Sequence, residues 1–227
     1  MSSVPADLFD PSLSAFLPAA PASRGGVGEL LRHPGIWRRS APVTNARALA
    51  SGWRELDSVL PGGGWPLGAL SEILIENDGL GELGLVMPAL AALTQQRRRV
   101  AFVAPPYVPY APALAAQGID LNYVTQIDAE GPDSTWSAEQ CLRSGACGAV
   151  LLWAKSPDYT QLRRWQLAAE SGGALGFLFR SDGAAHQASP AALRVLLRAE
   201  GESTGIEILK CRGGFDSRAN TRFRWRA

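Results

Sequence analysis

The sequence predicts an α/β fold: a mainly parallel sheet with helices on both faces and an antiparallel C-terminal edge. Two observations carry that expectation. From residue 52 onward, short apolar, β-prone runs alternate with helical stretches at the spacing of a parallel sheet covered by helices. After residue 189 the rhythm changes. Two strand-like runs, 193–199 and 206–211, flank a polar, glycine-bearing loop at 200–205, the pattern of an antiparallel hairpin.

Taken in order, residues 70–75 form a strand that ends in a loop containing glycine, 76–81. A helix follows at 83–97, with Leu85, Leu90 and Leu93 among small residues and basic residues in the last turn, where they complement the helix dipole. Pro88 lies near enough to its start to be tolerated. Residues 100–104 read as a buried strand and 110–117 as a short helix closed by Gly118. A strand at 123–127 precedes a helix at 134–144 with Ser134 or Asp133 as its cap. The strand 149–153, the helix 157–170 with Ser156 as its cap, and the strand 175–179 complete the parallel part. Residues 223–226 add an edge strand beyond the hairpin.

Upstream, residues 1–28 are rich in Pro, Ala, Ser and Gly and read as a flexible arm. Residues 29–51 read as a docking segment, in which Leu30, Leu31, Ile36 and Trp37 stand among basic residues. Trp37 has the alternative of packing on its own core. The regular body is then 52–212, followed by a basic C-terminal segment, 213–227.

Hydrophobic residues make up 46% of the 227-residue chain, enough for one α/β core. A net charge of +1 removes any global attraction to nucleic acid, so such contact has to be local. Cys141, Cys147 and Cys211 form no CxxC pair, and His33 and His186 add no zinc-type spacing. The expectation is reduced thiols in a cytoplasmic protein, with no metal, no cofactor and no membrane partner. No apolar run approaches the roughly 18 residues that span a bilayer, and the first residues lack the character of a signal peptide.

The stretch 52–84 reads GWRELDSVLPGGGWPLGALSEILIENDGLGELG. Through Leu56, Asp57, Leu60, Gly63, Pro66, Gly68, Glu72 and Ile73 it resembles the opening of the RecA ATPase core. AFVAPPYVPYAPALAAQGID at 101–120 and GIEILKCRG at 205–213 extend the resemblance over most of the body. Together with LLRHPGIWR at 30–38, these blocks are similar to the ImuA group, short RecA-like proteins of bacterial SOS mutagenesis. The resemblance implies a RecA-like core acting in translesion DNA synthesis. The implied partners are ImuB, RecA and the error-prone DNA polymerase assembly with its alpha-type subunit.

The motor residues of that family do not carry over. A phosphate loop needs glycines that let backbone N–H groups wrap the phosphates, a lysine on the β/γ-phosphates and a hydroxyl on magnesium. With Gly81 at the last glycine, Glu82 stands at the lysine position, Leu83 at the hydroxyl position and Glu76 at the first glycine. At about 4 Å a unit charge is worth roughly 4 kcal/mol at an effective dielectric near 20, so a reversal of sign is a large penalty for a bound phosphate. Asp78 adds to the negative charge, and these acids are expected to cap the following helix. Pro105 and Pro106 replace the catalytic glutamate, and Trp153 the magnesium-ordering aspartate. The sequence therefore implies a non-catalytic protein. The alternative, a divergent nucleotide- or DNA-binding ATPase, rests on Gly79, Gly81 and Gly84.

The candidate binding residues lie elsewhere. Lys210, Arg212, Arg218, Arg222, Arg224 and Arg226 face one acid, Asp216, and are interleaved with Phe215, Phe223 and Trp225. That composition suits a protein hot spot or a nucleic-acid backbone. Its alternation also suits an edge strand with aromatics inward and arginines outward. Trp153, Arg163, Arg164 and Trp165 form a second candidate surface, and Arg180 is the one base in a loop running to Ser189. Among N-terminal residues, Leu30, Leu31, Ile36 and Trp37 could dock on RecA, ImuB or another copy, since RecA-like subunits associate through an N-terminal element.

Overall fold

In the computed structural model the described residues are 47–77, 79–201, 203–213 and 222–225, with the backbone alone at 222 and 223. The arm 1–28, Leu30, Leu31, Ile36, Trp37, Asp78, Phe215, Asp216, Arg218 and Arg226 lie outside them. The strands are β1 (Ala48–Leu49), β2 (Trp65–Pro66), β3 (Ala69–Ile75), β4 (Arg99–Val103), β5 (Val124–Ile127), β6 (Cys147–Trp153), β7 (Leu175–Ser181), β8 (Leu193–Glu200), β9 (Ser203–Cys211) and β10 (Arg222–Trp225). The α-helices are α1 (Arg54–Val59), α2 (Glu82–Gln95), α3 (Ala111–Ala116), α4 (Gly131–Arg143) and α5 (Tyr159–Gly172).

The main sheet has eight strands in the order β10-β9-β8-β3-β7-β6-β4-β5. From β8 to β5 all pairings are parallel, and β8-β9 and β9-β10 are antiparallel. Every residue of β3 is buried, as expected of a central parallel strand with both faces covered. Ile73 and Ile75 join α1, α2 and α3 through Leu56, Leu85, Leu90 and Leu114 on one face. Leu70, Val150 and Leu178 meet α4 and α5 through Leu142, Leu162 and Trp165 on the other. The fold is thus α/β, with a mainly parallel sheet, helices on both faces and an antiparallel far edge.

Several local expectations shift. Residues 47–51, assigned by sequence to the docking segment, belong to the body: β1 pairs with β2, and Ser51 N donates to Asp57 Oδ1 at 2.8 Å. The Leu-Asp pair of α1 is therefore structural, with Leu56 filling the core and Asp57 holding the preceding turn. Pro88 sits in the second turn of α2, where it cannot donate to the carbonyl of Gly84. Its ring lies against Gly52, which has φ +85° and no room for a Cβ. Next door, the Trp53 indole donates to the carbonyl of Leu85 at 2.9 Å, joining α1 to α2.

Two caps also differ. α4 starts at Gly131 after Glu130, with Pro132 in its first turn, where a missing N–H costs nothing. α5 is capped by Asp158, whose carboxylate accepts from Gln161 N at 2.7 Å, and not by Ser156. The hairpin turn is shorter than the sequence suggested, since Glu200 pairs directly with Ser203.

Candidate functional site

In open α/β sheets, ligands are held at the C-terminal ends of the parallel strands. The loop that the sequence suggested as a degenerate phosphate loop lies there, between β3 and α2. Gly79 and Gly81 take left-handed backbone, φ +87° and +81°, a conformation glycine adopts without a Cβ penalty. Gly81 is the N-cap of α2, and no side-chain hydrogen bond caps that end among the described residues. The expected capping by acids is thus not what the described residues do. Glu82 opens the helix with its carboxylate near the positive end of the dipole. Its Oε2 is buried with no hydrogen-bond partner among the described residues. Glu76 is exposed, and Leu83 and Leu80 pack against the core. Gly84 lies in the first turn of α2.

The neighbouring strand ends are filled with aromatic rings. Trp153, last residue of β6, stacks on Phe179 of β7 at 4.8 Å and 12°, and on Phe102 of β4 at 6.2 Å and 17°. The three rings belong to adjacent strands and face α2. Offset stacks of this kind are worth about 0.5–1.5 kcal/mol beyond their buried area. Pro105 and Pro106 follow β4 after Ala104, and neither has a side-chain proton to take or give. Water activation has no side chain among these.

The basic C-terminal residues do not form one patch. Lys210 and Arg212 lie at one end of the β8–β9 ladder, whereas Arg224 and Trp225 pair with Gly205 and Thr204 at the other. Thr204 to Cys211 along β9 is about 23 Å at 3.3 Å per residue. The Lys210 ammonium donates to the carbonyl of Ser189 at 2.6 Å. Burial, then the charges of Arg212 and Arg194, lower its pKa. Arg212 pairs with Glu170 of α5 at 2.8 Å. Arg224, largely exposed, reaches Glu200 at 3.3 Å. Trp225 is buried and meets Trp53 edge-on at 5.3 Å, so its ring is a core residue rather than a surface anchor. Arg222 contributes its backbone to β10.

In the second candidate surface, Trp165 is buried and donates to the carbonyl of Thr135 at 3.2 Å. Arg164 is exposed and ion-paired with Glu139 at 2.6 Å, and Arg163 is exposed. Arg180 is not a loop base at all. It is buried at the end of β7, with Nη1 3.4 Å from Glu72 Oε1 and Nη2 donating to Gln187.

Glu72 is the residue whose role sequence reasoning missed. It is fully buried on β3 and accepts from Arg194 Nε at 2.7 Å, from the Ser189 hydroxyl at 2.7 Å and from Arg180. Arg194 also donates to the carbonyls of Ala184, Ala185 and Gln187. The cluster fastens the segment 182–190 over a part of the sheet that α4 and α5 leave uncovered. A lone glutamate inside an otherwise apolar strand was the available signal, because a buried carboxylate needs partners.

Among the described residues, no helix is long and apolar enough to cross a membrane. Compared with known proteins, the chain matches no family model and no curated sequence.

Proposed function

We propose that this chain is a non-catalytic, RecA-like adaptor of the ImuA group, acting in SOS-induced translesion DNA synthesis. In this reading it binds ImuB, RecA and the error-prone polymerase assembly, and it turns over no ATP. The strand order, with the loop-bearing strand β3 between β7 and β8, is compatible with a RecA-like core. The observation that carries the reading is the Phe102–Trp153–Phe179 stack at the strand ends where a RecA-type motor keeps its catalytic and magnesium-ordering groups. Glu82 supports it, since a carboxylate at the start of α2 repels the phosphate that a helix N-terminus otherwise attracts.

With the motor position filled, function passes to surfaces. Arg224 and Arg212 are exposed, and they stand at opposite ends of β9, so they suit two separate contacts better than one continuous nucleic-acid track. The deciding experiment combines nucleotide binding and turnover on the full chain with pull-downs using RecA, ImuB and polymerase baits separately. Capture of ImuB or RecA without ATP turnover is expected. DNA-stimulated turnover at a RecA-like rate would overturn the reading.

A further inference from the structure

The N-terminal halves of α4 and α5 frame a cleft that the proposed function does not use. Along α4, Ala138, Glu139 and Leu142 turn inward, and along α5 Leu162, Trp165 and Ala169 do the same. Pro132 and Trp136, one turn apart on α4, stand beside that seam across from Gln161 and Arg164, one turn apart on α5. With Gly131 and Thr135 they line a cavity of about 410 Å³. Its floor is fastened twice: Gln161 Nε2 donates to Thr135 Oγ1 at 3.0 Å, and Trp165 Nε1 to the carbonyl of Thr135 at 3.2 Å. Asp158, capping α5 through Gln161 N, sets the register of that wall.

Two features of the lining point outward. Trp136 is the one exposed tryptophan among the described residues, with 61% of its surface open to solvent. Arg164 is held in place by Glu139, which is buried between the helices and receives Arg164 at 2.6 Å and Arg143 at 2.5 Å. Two guanidiniums thus share one carboxylate, and both side chains remain more than half exposed, at 57% and 51%. The group keeps one positive charge at the cleft wall. Because Arg164 is already anchored, less side-chain entropy is lost when a ligand pairs with it.

We propose that this cleft is a docking site for an acidic peptide segment of a partner protein. One bulky apolar side chain of the segment lies against Trp136 and Pro132, and a neighbouring carboxylate pairs with Arg164. The lining selects this occupant. Tryptophan and arginine are the residues on which interfaces concentrate their binding energy. The unbalanced positive charge calls for an acid, and the planar fork of Arg164 matches a carboxylate. A nucleic-acid strand fits less well. Such a track draws its affinity from many phosphates, whereas α5 offers only Arg163 and Arg164 beside the cleft. A volume near the lower end of ligand pockets also suits one anchoring side chain better than a run of bases. The site rests on the cleft alone and not on the reading of the chain as a RecA-like adaptor, so its failure leaves that reading standing.

The test selects displayed random dodecapeptides on the immobilised full chain and measures the enriched peptides by fluorescence anisotropy. The expected consensus is one bulky apolar residue flanked by Asp or Glu. Trp136→Ala should weaken binding about thirtyfold, the size of a hot-spot truncation. Arg164→Gln should weaken it about fivefold at low salt and less at high salt, as for a partly exposed pair. Trp136 is exposed and Arg143 continues to hold Glu139, so neither variant costs the fold. Val108→Ala, an exposed apolar residue that does not line the cleft, should change nothing. No enrichment, a consensus without acids, unchanged affinity in either cleft variant, or an equal loss in Val108→Ala overturns the proposal. Oligothymidylate binding that is lost in Trp136→Ala while no acidic peptide is selected overturns it as well, and assigns the cleft to nucleic acid.

Discussion

Two regions of the same sheet solve the problem of a closed interior in opposite ways. On the α2 face, the ends of β4, β6 and β7 are sealed by three stacked rings that ask little of their surroundings. On the other face, beside β8, a carboxylate sits between two guanidiniums, and every bond made there is polar. The first region lies at the C-terminal ends of parallel strands, and no ionisable group takes part in its stack. The second holds the most concentrated buried charge among the described residues, and its bonds go to the chain's own loop. Buried ionisable groups are good markers of function only when they face a ligand; here they face the segment 182–190 and serve as its fastening.

The contrast is easiest to break at Glu72. Glu72→Ala leaves Arg180 and Arg194 buried without their carboxylate and should cost about 3–5 kcal/mol, read from the shift of the urea midpoint at unchanged slope. Trp153→Ala removes the middle ring of the stack, the one of the three that is only partly buried. A cost of about 2 kcal/mol is expected, below the 3–5 kcal/mol of a fully buried aromatic. If the order of these two effects were reversed, the charged cluster would be peripheral and the stack the true keystone.

Lys210 sharpens the comparison from the cluster's margin. Its pKa is lowered in the fold, so between that value and 10.5 the unfolded chain binds more protons than the native one. Stability therefore rises as pH climbs through that window. Measured as the difference between wild type and Lys210→Met, which cancels other titrations, the wild type should gain on the variant as pH approaches 10.5. A difference independent of pH would remove Lys210 from the cluster's field. The smallest effect is at Arg224, whose pair with Glu200 is solvent-screened. Arg224→Ala should change stability by less than about 1 kcal/mol, while a partner that docks there should lose affinity in the same pull-down.

The strands were legible because parallel strands buried on both faces are written as short apolar runs; β3, β6 and β7 stand within two residues of their expected ends. The helix caps were less so. Ser156 and Asp158 both have the chemistry of a cap, and only the backbone decides which one reaches an N–H. Arg180 was misplaced for a related reason: next to Ser181, Asp182 and Gly183 it looks like part of a loop, yet β7 runs on to Ser181 and carries it inside. That Trp153 ends an apolar strand could be read from the sequence. Its stacking partners, from β4 and β7, could not, because nothing local in the chain links Phe102 to Phe179. The basic C-terminal run divides over β9 and β10 for the same reason, since an antiparallel return sends sequence neighbours to opposite ends of a ladder.

The position of β3 has a consequence for how the chain is made. Its two partners, β7 and β8, come late, and Glu72 meets Arg194 across 122 residues of sequence. At about 5–20 residues per second of synthesis, β3 waits on the order of ten seconds for its neighbours. During that interval Leu70, Ile73 and Leu74 have no sheet to enter. The nascent chain is thus most exposed to aggregation midway through translation, and a chaperone that shields its first half would shape its yield.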